Sequence, residues 1–153
     1  MAFKFLGVPT NKLFVYFSGY HEADLLNKEG NSIGKSYATN EVKVDMTDGG
    51  CVIAFKIRRS TYKFYDGVRA STNTGLLTNE SWKCSDEFEN YWFDENFDDR
   101  SWENAVPNFF AEHLYKEDTS IDGDAQPIQF FSLEETNYCR KYICGSKNII
   151  SHP

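Results

Sequence analysis

Apolar and polar positions alternate with a period of two in several short runs of this chain. In EVKVDM (41–46), Val42, Val44 and Met46 share one face. In CVIAFKI (51–57), Cys51, Ile53, Phe55 and Ile57 fall on one side and Val52 and Ala54 on the other, which predicts a central strand buried on both faces. LFVYFSG (13–19), GVRAST (67–72), PIQFFSL (127–133) and NYCRKYI (137–143) supply further strands, separated by turn-rich pieces such as TDGG (47–50), STNTG (71–75) and DGDAQP (122–127). Helical periodicity is scarce. SWENAVPNFFAEHLY (101–115) offers a helix, and Pro107 limits it to short turns. Short strands at this spacing predict an all-β fold, an antiparallel β-sandwich of the jelly-roll kind, built as a single domain over residues 1–153.

Composition fits one such domain: 153 residues with 41% hydrophobic and 16% aromatic content can bury one sizeable core. The net charge of -7 argues against nucleic acid, whose phosphates demand clustered Lys and Arg. The short basic groups, Lys56 with Arg58 and Arg59, and Arg140 with Lys141, read as solvated strand positions. No stretch approaches the roughly 20 apolar residues of a membrane span, so no membrane insertion is expected. The opening MAFKFLGVPT is too short for a secretory leader, which leaves a removed leader or a piece of a longer protein as the two readings. Cys51, Cys84, Cys139 and Cys144 form no CxxC pair, and His21, His113 and His152 are scattered, so zinc is disfavoured. Disulfides are the better reading and place the chain outside the cell, secreted.

One stretch, WFDENFDDRSWENA (92–105), is dense in aromatics and acids. Asp98 and Asp99 precede Ser101 and Trp102, where a carboxylate would accept the free N–H groups of a turn beginning near residue 100. Trp102 and Ala105, three apart, would then lie on the same side of that turn and press onto the sandwich. On this reading the acids orient the turn and the indole anchors it.

The run Trp82-Lys83-Cys84-Ser85, then Trp92, then Asn96-Phe97-Asp98-Asp99-Arg100-Ser101-Trp102-Glu103-Asn104-Ala105, and finally Tyr138-Cys139-Arg140, resembles the galactose-binding-like jelly roll of extracellular animal proteins. A shorter Phe-Asp-Asp-Ser-Trp signature marks the sugar-binding accessory domains of glycosidases. Val52-Ile53-Ala54 and Leu77-Thr78 fit the same pattern, and the likeness covers roughly residues 40 to 143. The chain departs from the family where Ile128-Gln129-Phe130-Phe131 replaces an Ile-Trp pair, and in its first strands, so no ligand site is carried over. The resemblance implies a disulfide between Cys84 and Cys139, worth on the order of 4 kcal/mol in the chain-entropy picture. For Cys51 and Cys144 an internal bond is favoured, with free thiols or a bridge to another chain left open.

Asp94, Glu95, Asp98 and Asp99 supply carboxylates, and a glycosidase needs two of them about 5 to 10 Å apart. Proximity in sequence does not establish that geometry, and the capping role already accounts for Asp98 and Asp99. No Gly-x-Ser-x-Gly elbow is present. EGNSIGKS (29–36) is one residue short of a phosphate loop and reads as a surface loop. The chain is therefore expected not to be an enzyme and to need no cofactor, with structural calcium the open exception: Asp118, Asp122 and Asp124, or Asp94 with Asn96, offer hard oxygen ligands.

Binding is the function expected. Exposed aromatics beside polar groups suit the faces and hydroxyls of a sugar ring, and Tyr62, Tyr65 and Asp66, with Tyr91 in a second segment, are the candidates. The partner is then a glycan or an extracellular protein, in an adhesion role. The alternative is a structural subunit of an extracellular matrix or filament, in which the same aromatics, the FKFLGV segment and the HP tail drive self-association. Asn79-Glu80-Ser81 has the form of a glycosylation acceptor.

Overall fold

A computed structural model of the chain describes residues 12–46, 50–58, 67–108, 120–130 and 134–145. Tyr62, Tyr65, Asp66, Asp118, the FKFLGV segment and the HP tail lie outside the described residues. The protein is an all-β antiparallel sandwich. Eleven strands are described: β1 Phe14–Gly19, β2 Glu22–Leu26, β3 Ser32–Tyr37, β4 Val42–Asp45, β5 Val52–Arg58, β6 Val68–Thr72, β7 Lys83–Ser85, β8 Glu103–Asn104, β9 Val106–Pro107, β10 Ile128–Gln129 and β11 Thr136–Tyr142. A five-stranded sheet runs in the order β9-β10-β6-β1-β4, and a six-stranded sheet in the order β3-β2-β5-β11-β7-β8.

The period-two alternation decides which side chains meet between the sheets. Val15 and Phe17 of β1, Val68 and Ala70 of β6, Val44 and Ile128 project from one side. Ala23, Leu25, Ile53, Phe55 and Ile57 project from the other, and all are buried. Phe17 and Phe55 meet across the gap with ring centroids 5.0 Å apart. Trp82 lies against Phe55 in the same core, its indole N–H donated to the Leu77 carbonyl at 2.9 Å, so the one polar atom of that large side chain is satisfied.

β5 is central and buried on both faces, with Val52 and Ala54 covered on the outside of the sheet. Two sequence expectations are corrected. EGNSIGKS is not a surface loop: it forms the tip and second strand of the β2–β3 hairpin. Asn27 Oδ1 accepts the N–H groups of Glu29 and Asn31 at 3.0 and 2.9 Å, which closes the turn, and Gly30 supplies its positive φ of 88°. Lys35 then bridges Glu22 and Asp24 across the strands at 3.0 and 3.7 Å, and its hydrogen bond holds the Glu22 carboxyl below the usual range. Next, no helix occurs among the described residues; Glu103–Asn104 and Val106–Pro107 are short strands, and 109–115 fall outside. The strand expected over 127–133 is described at Ile128–Gln129, and 131–133 lie outside the described residues.

All four cysteines are bonded, Cys51 to Cys144 and Cys84 to Cys139. Cys84 and Cys139 are direct cross-strand neighbours of β7 and β11 and are fully buried, so the bond staples the short β7 onto the seven-residue β11. The double substitution Cys84→Ala/Cys139→Ala is expected to lower the unfolding free energy by about 2 to 5 kcal/mol in urea titration. A loss below about 1 kcal/mol would show that packing, not the bond, holds β7 in place.

Candidate functional site

The outer face of the six-stranded sheet presents an apolar strip: Leu26 from β2, Val52 and Ala54 from β5, Tyr138 and Tyr142 from β11. Such a strip gains stability when covered, and the chain between β7 and β8 folds back over it. Turns carry it across, closed by hydrogen bonds from Trp92 N to the Glu89 carbonyl (3.2 Å), Asp94 N to the Tyr91 carbonyl (2.9 Å), Phe97 N to the Asp94 carbonyl (3.1 Å) and Trp102 N to the Asp99 carbonyl (2.9 Å). Trp92 and Trp102, both nearly fully buried, stack with centroids 6.2 Å apart. Trp92 also meets Tyr138 edge-on at 5.0 Å, and Phe97 meets Trp102 edge-on at 5.4 Å. The Trp102 indole N–H is donated to Glu89 Oε2 at 3.0 Å. Burial pushes the Tyr138 phenol up from its ordinary value.

Trp102 is thus interior, but Ala105 is not on its side. Trp102 belongs to the outer cluster and Ala105 to the core between the sheets, because the segment after Trp102 is extended and successive side chains alternate. Asp98 and Asp99 also part ways. Asp98 faces solvent, accepting the Arg100 N–H at 3.0 Å and pairing with the Arg100 guanidinium through both oxygens, at 2.9 and 2.7 Å. It therefore closes a turn and caps no helix. The Asp99 carboxylate points inward and pairs with Arg140.

Arg140 is the residue that sequence reasoning misplaced. It is not solvated: only 1% exposed, it projects from β11 between Tyr138 and Tyr142 beneath the covering segment. Its guanidinium pairs with Asp99 through one nitrogen and donates to the Asp94 carbonyl at 2.7 Å through another, while the Phe97 ring centroid lies 5.4 Å away. An arginine needs several acceptors when it leaves water, and the turns around Asp94 and Asp99 supply one to each terminal nitrogen, while Nε is buried without a hydrogen-bond partner. The signal was present as alternation: Arg140 shares the face of Tyr138 and Tyr142.

Where the covering segment meets the β2–β3 hairpin, a cleft of about 280 Å³ opens. Lys28 and Glu29 of the hairpin tip form one wall, Phe93, Asp94, Glu95 and Asn96 the other, and Cys51 and Val52 lie at its base beside the disulfide. The Phe93 ring packs directly on Gly30, where an added Cβ would approach it to 2.5 Å, so the glycine is needed for the ring to sit there. Tyr91, 70% exposed, stands beside Phe93 with centroids 6.3 Å apart. Its φ of 61° is the left-handed region that non-glycine residues seldom adopt. Phe88, 64% exposed, lies against Tyr138 nearby. Charge is concentrated on this segment: residues 86–103 hold eight Asp and Glu against one Arg, a surplus equal to the chain's whole net charge of -7.

Of the four residues expected to contact sugar, Tyr91 is the one among the described residues and stands beside the cleft without lining it, and Phe93, Lys28 and Glu29, which do line it, were not singled out from sequence. Some of the oxygen atoms considered for calcium close turns or accept Arg69, and Asp118 lies outside the described residues. Asp122 Oδ1 accepts the Asp124 N–H at 2.8 Å, and the carbonyls of Asp122 and Ala125 accept the guanidinium of buried Arg69, both at 3.0 Å. Asp94 Oδ1 accepts the Asn96 N–H at 2.8 Å. Among the described residues no group of three or more His, Cys, Asp or Glu side chains converges on a metal-sized position.

Comparison with protein-family models, with curated proteins and with solved structures returned no match.

The two adjacent aspartates have opposite expected sensitivities. Asp99→Ala leaves Arg140 buried without its counter-charge and is expected to cost about 3 to 5 kcal/mol in chemical unfolding. Asp98→Ala removes an exposed pair and is expected to cost under about 1 kcal/mol. Equal losses, or the reverse order, would contradict the placement of Arg140.

Proposed function

We propose that this domain is a non-catalytic extracellular module of the galactose-binding-like kind that binds carbohydrate in the cleft between the β2–β3 hairpin tip and residues 93–96. The observation that carries this reading is the lining of that cleft: the Phe93 ring with the Asn96 amide on one side and the charged groups of Lys28 and Glu29 on the other, with exposed Tyr91 standing next to Phe93 outside the lining. A sugar ring offers an apolar face for stacking and a rim of hydroxyls that need both donors and acceptors, which this combination supplies. The acidic segment disfavours anionic ligands such as nucleic acid. Two disulfides are compatible with an extracellular setting, and no helix among the described residues is long and apolar enough to cross a membrane.

A structural, self-associating role draws support from the exposed rings of Phe88 and Tyr91, which suit a protein contact. Their surroundings weigh against pairing with a second copy, because two such faces would bring like charges together. The carbohydrate reading is therefore preferred.

Binding to a glycan array, competed away by a free simple sugar, is the result expected. Tyr91→Ala should weaken that binding about tenfold, near 1.4 kcal/mol, with the fold unchanged. Concentration-dependent oligomers or filaments with no glycan signal would replace this reading by the structural one.

A further inference from the structure

The sequence motif that neither the cleft nor the core absorbs is Asn79-Glu80-Ser81, the single Asn-x-Ser/Thr in the chain. It forms a tight turn between two buried anchors, Thr78 and Trp82, which fix its ends in the sandwich. Within the turn, Asn79 Oδ1 accepts the Ser81 N–H at 2.9 Å and the Ser81 hydroxyl at 2.5 Å. Both bonds fall on the amide oxygen. Among the described residues the amide nitrogen, Nδ2, makes no hydrogen bond, and it is not one of the buried polar atoms left without a partner, so it opens to solvent. Glu80 and Ser81 are exposed as well.

The turn also has a defined place in the sheet. Asn104 of edge strand β8 donates its side-chain amide to the Glu80 carbonyl at 2.8 Å, and Lys141 of β11 reaches the Ser81 hydroxyl at 3.0 Å. A substituent on Nδ2 would project beside the open edge of β8 without displacing a core side chain.

We propose that Asn79 is the acceptor of an N-linked oligosaccharide. In the transfer, Nδ2 forms a bond to the anomeric carbon of the first sugar of a lipid-diphosphate-linked oligosaccharide. The bond from that carbon to the diphosphate oxygen breaks, the lipid diphosphate leaves with the electron pair, and the amide nitrogen gives up one proton. The glycan then shields the β8 edge from strand addition by another chain. Occupancy is independent of whether the cleft binds sugar.

The test is intact-mass measurement of the full chain secreted from a eukaryotic cell, under non-reducing conditions so that both disulfides are verified in the same sample. The expected result is an oligosaccharide mass increment that an N-glycan-specific amidase removes, leaving aspartate at position 79. Asn79→Gln and Ser81→Ala should each abolish it, and Ser81→Thr should retain it. Correctly disulfide-bonded protein carrying no such increment in either the wild type or Ser81→Thr would overturn the proposal, as would an increment that survives in Asn79→Gln.

Discussion

An arginine taken out of water keeps its charge and must find acceptors, and much of the outer face of the six-stranded sheet is arranged around that requirement. Arg140 stands in the middle of an otherwise apolar strip, with Tyr138 before it and Tyr142 after it on β11. Left bare, the strip would be wetted and Arg140 solvated. Covered, the strip gains apolar burial, but only a segment that brings a carboxylate and a carbonyl to the guanidinium can cover it without a large desolvation penalty. Residues 92–102 do both: Trp92, Phe97 and Trp102 fill the apolar part, while Asp99 and the Asp94 carbonyl meet the charge. The buried pair thereby fixes the register of the cover on the sheet.

The same placement shapes the cleft. Once Asp94 is tied through its carbonyl to Arg140 and Phe93 rests on Gly30, the side chains of residues 93–96 are held against the hairpin tip as a cleft wall. Fixing these groups on a rigid sheet lowers the ordering cost that a flexible loop would meet on binding a ligand. Acids not consumed by internal pairs remain at the surface, which is why the segment that closes the outer cluster also carries the molecule's negative charge.

How much of this could be read in the sequence depended on how strongly each element declared its period. β5, with Ile53, Phe55 and Ile57 facing inward and Val52 and Ala54 outward, was legible because β-branched and aromatic residues alternate without interruption. β2 and β3 were not, because EADLL and SIGKSY mix charges, glycine and small residues. Their pairing is set by the Asn27 turn and the Lys35 bridge, and Gly34 lets β3 pack closely on Val44 of the other sheet, where an added Cβ would come within 2.5 Å. β7, β8 and β9 are two or three residues long, too short for a period to show. In the candidate site, the aromatics and acids of 92–105 were visible as an architectural unit. Their division of labour was not, since telling Asp98 from Asp99 requires knowing that Arg140, 41 residues further along, lies beneath one of them. The cleft joins a hairpin near residue 28 to a turn near residue 95, a proximity that only the strand order β2-β5-β11 creates.

The most direct measurement of this central dependence is a double-mutant cycle on unfolding free energy, combining Asp99→Leu with Arg140→Met. Interdependence of the two side chains predicts that the double variant is more stable than Asp99→Leu alone, with a coupling energy of about 1.5 kcal/mol or more. Strictly additive losses, with coupling inside about 0.5 kcal/mol, would mean that the covering segment is held by its aromatic packing alone and that the ion pair does not organise it.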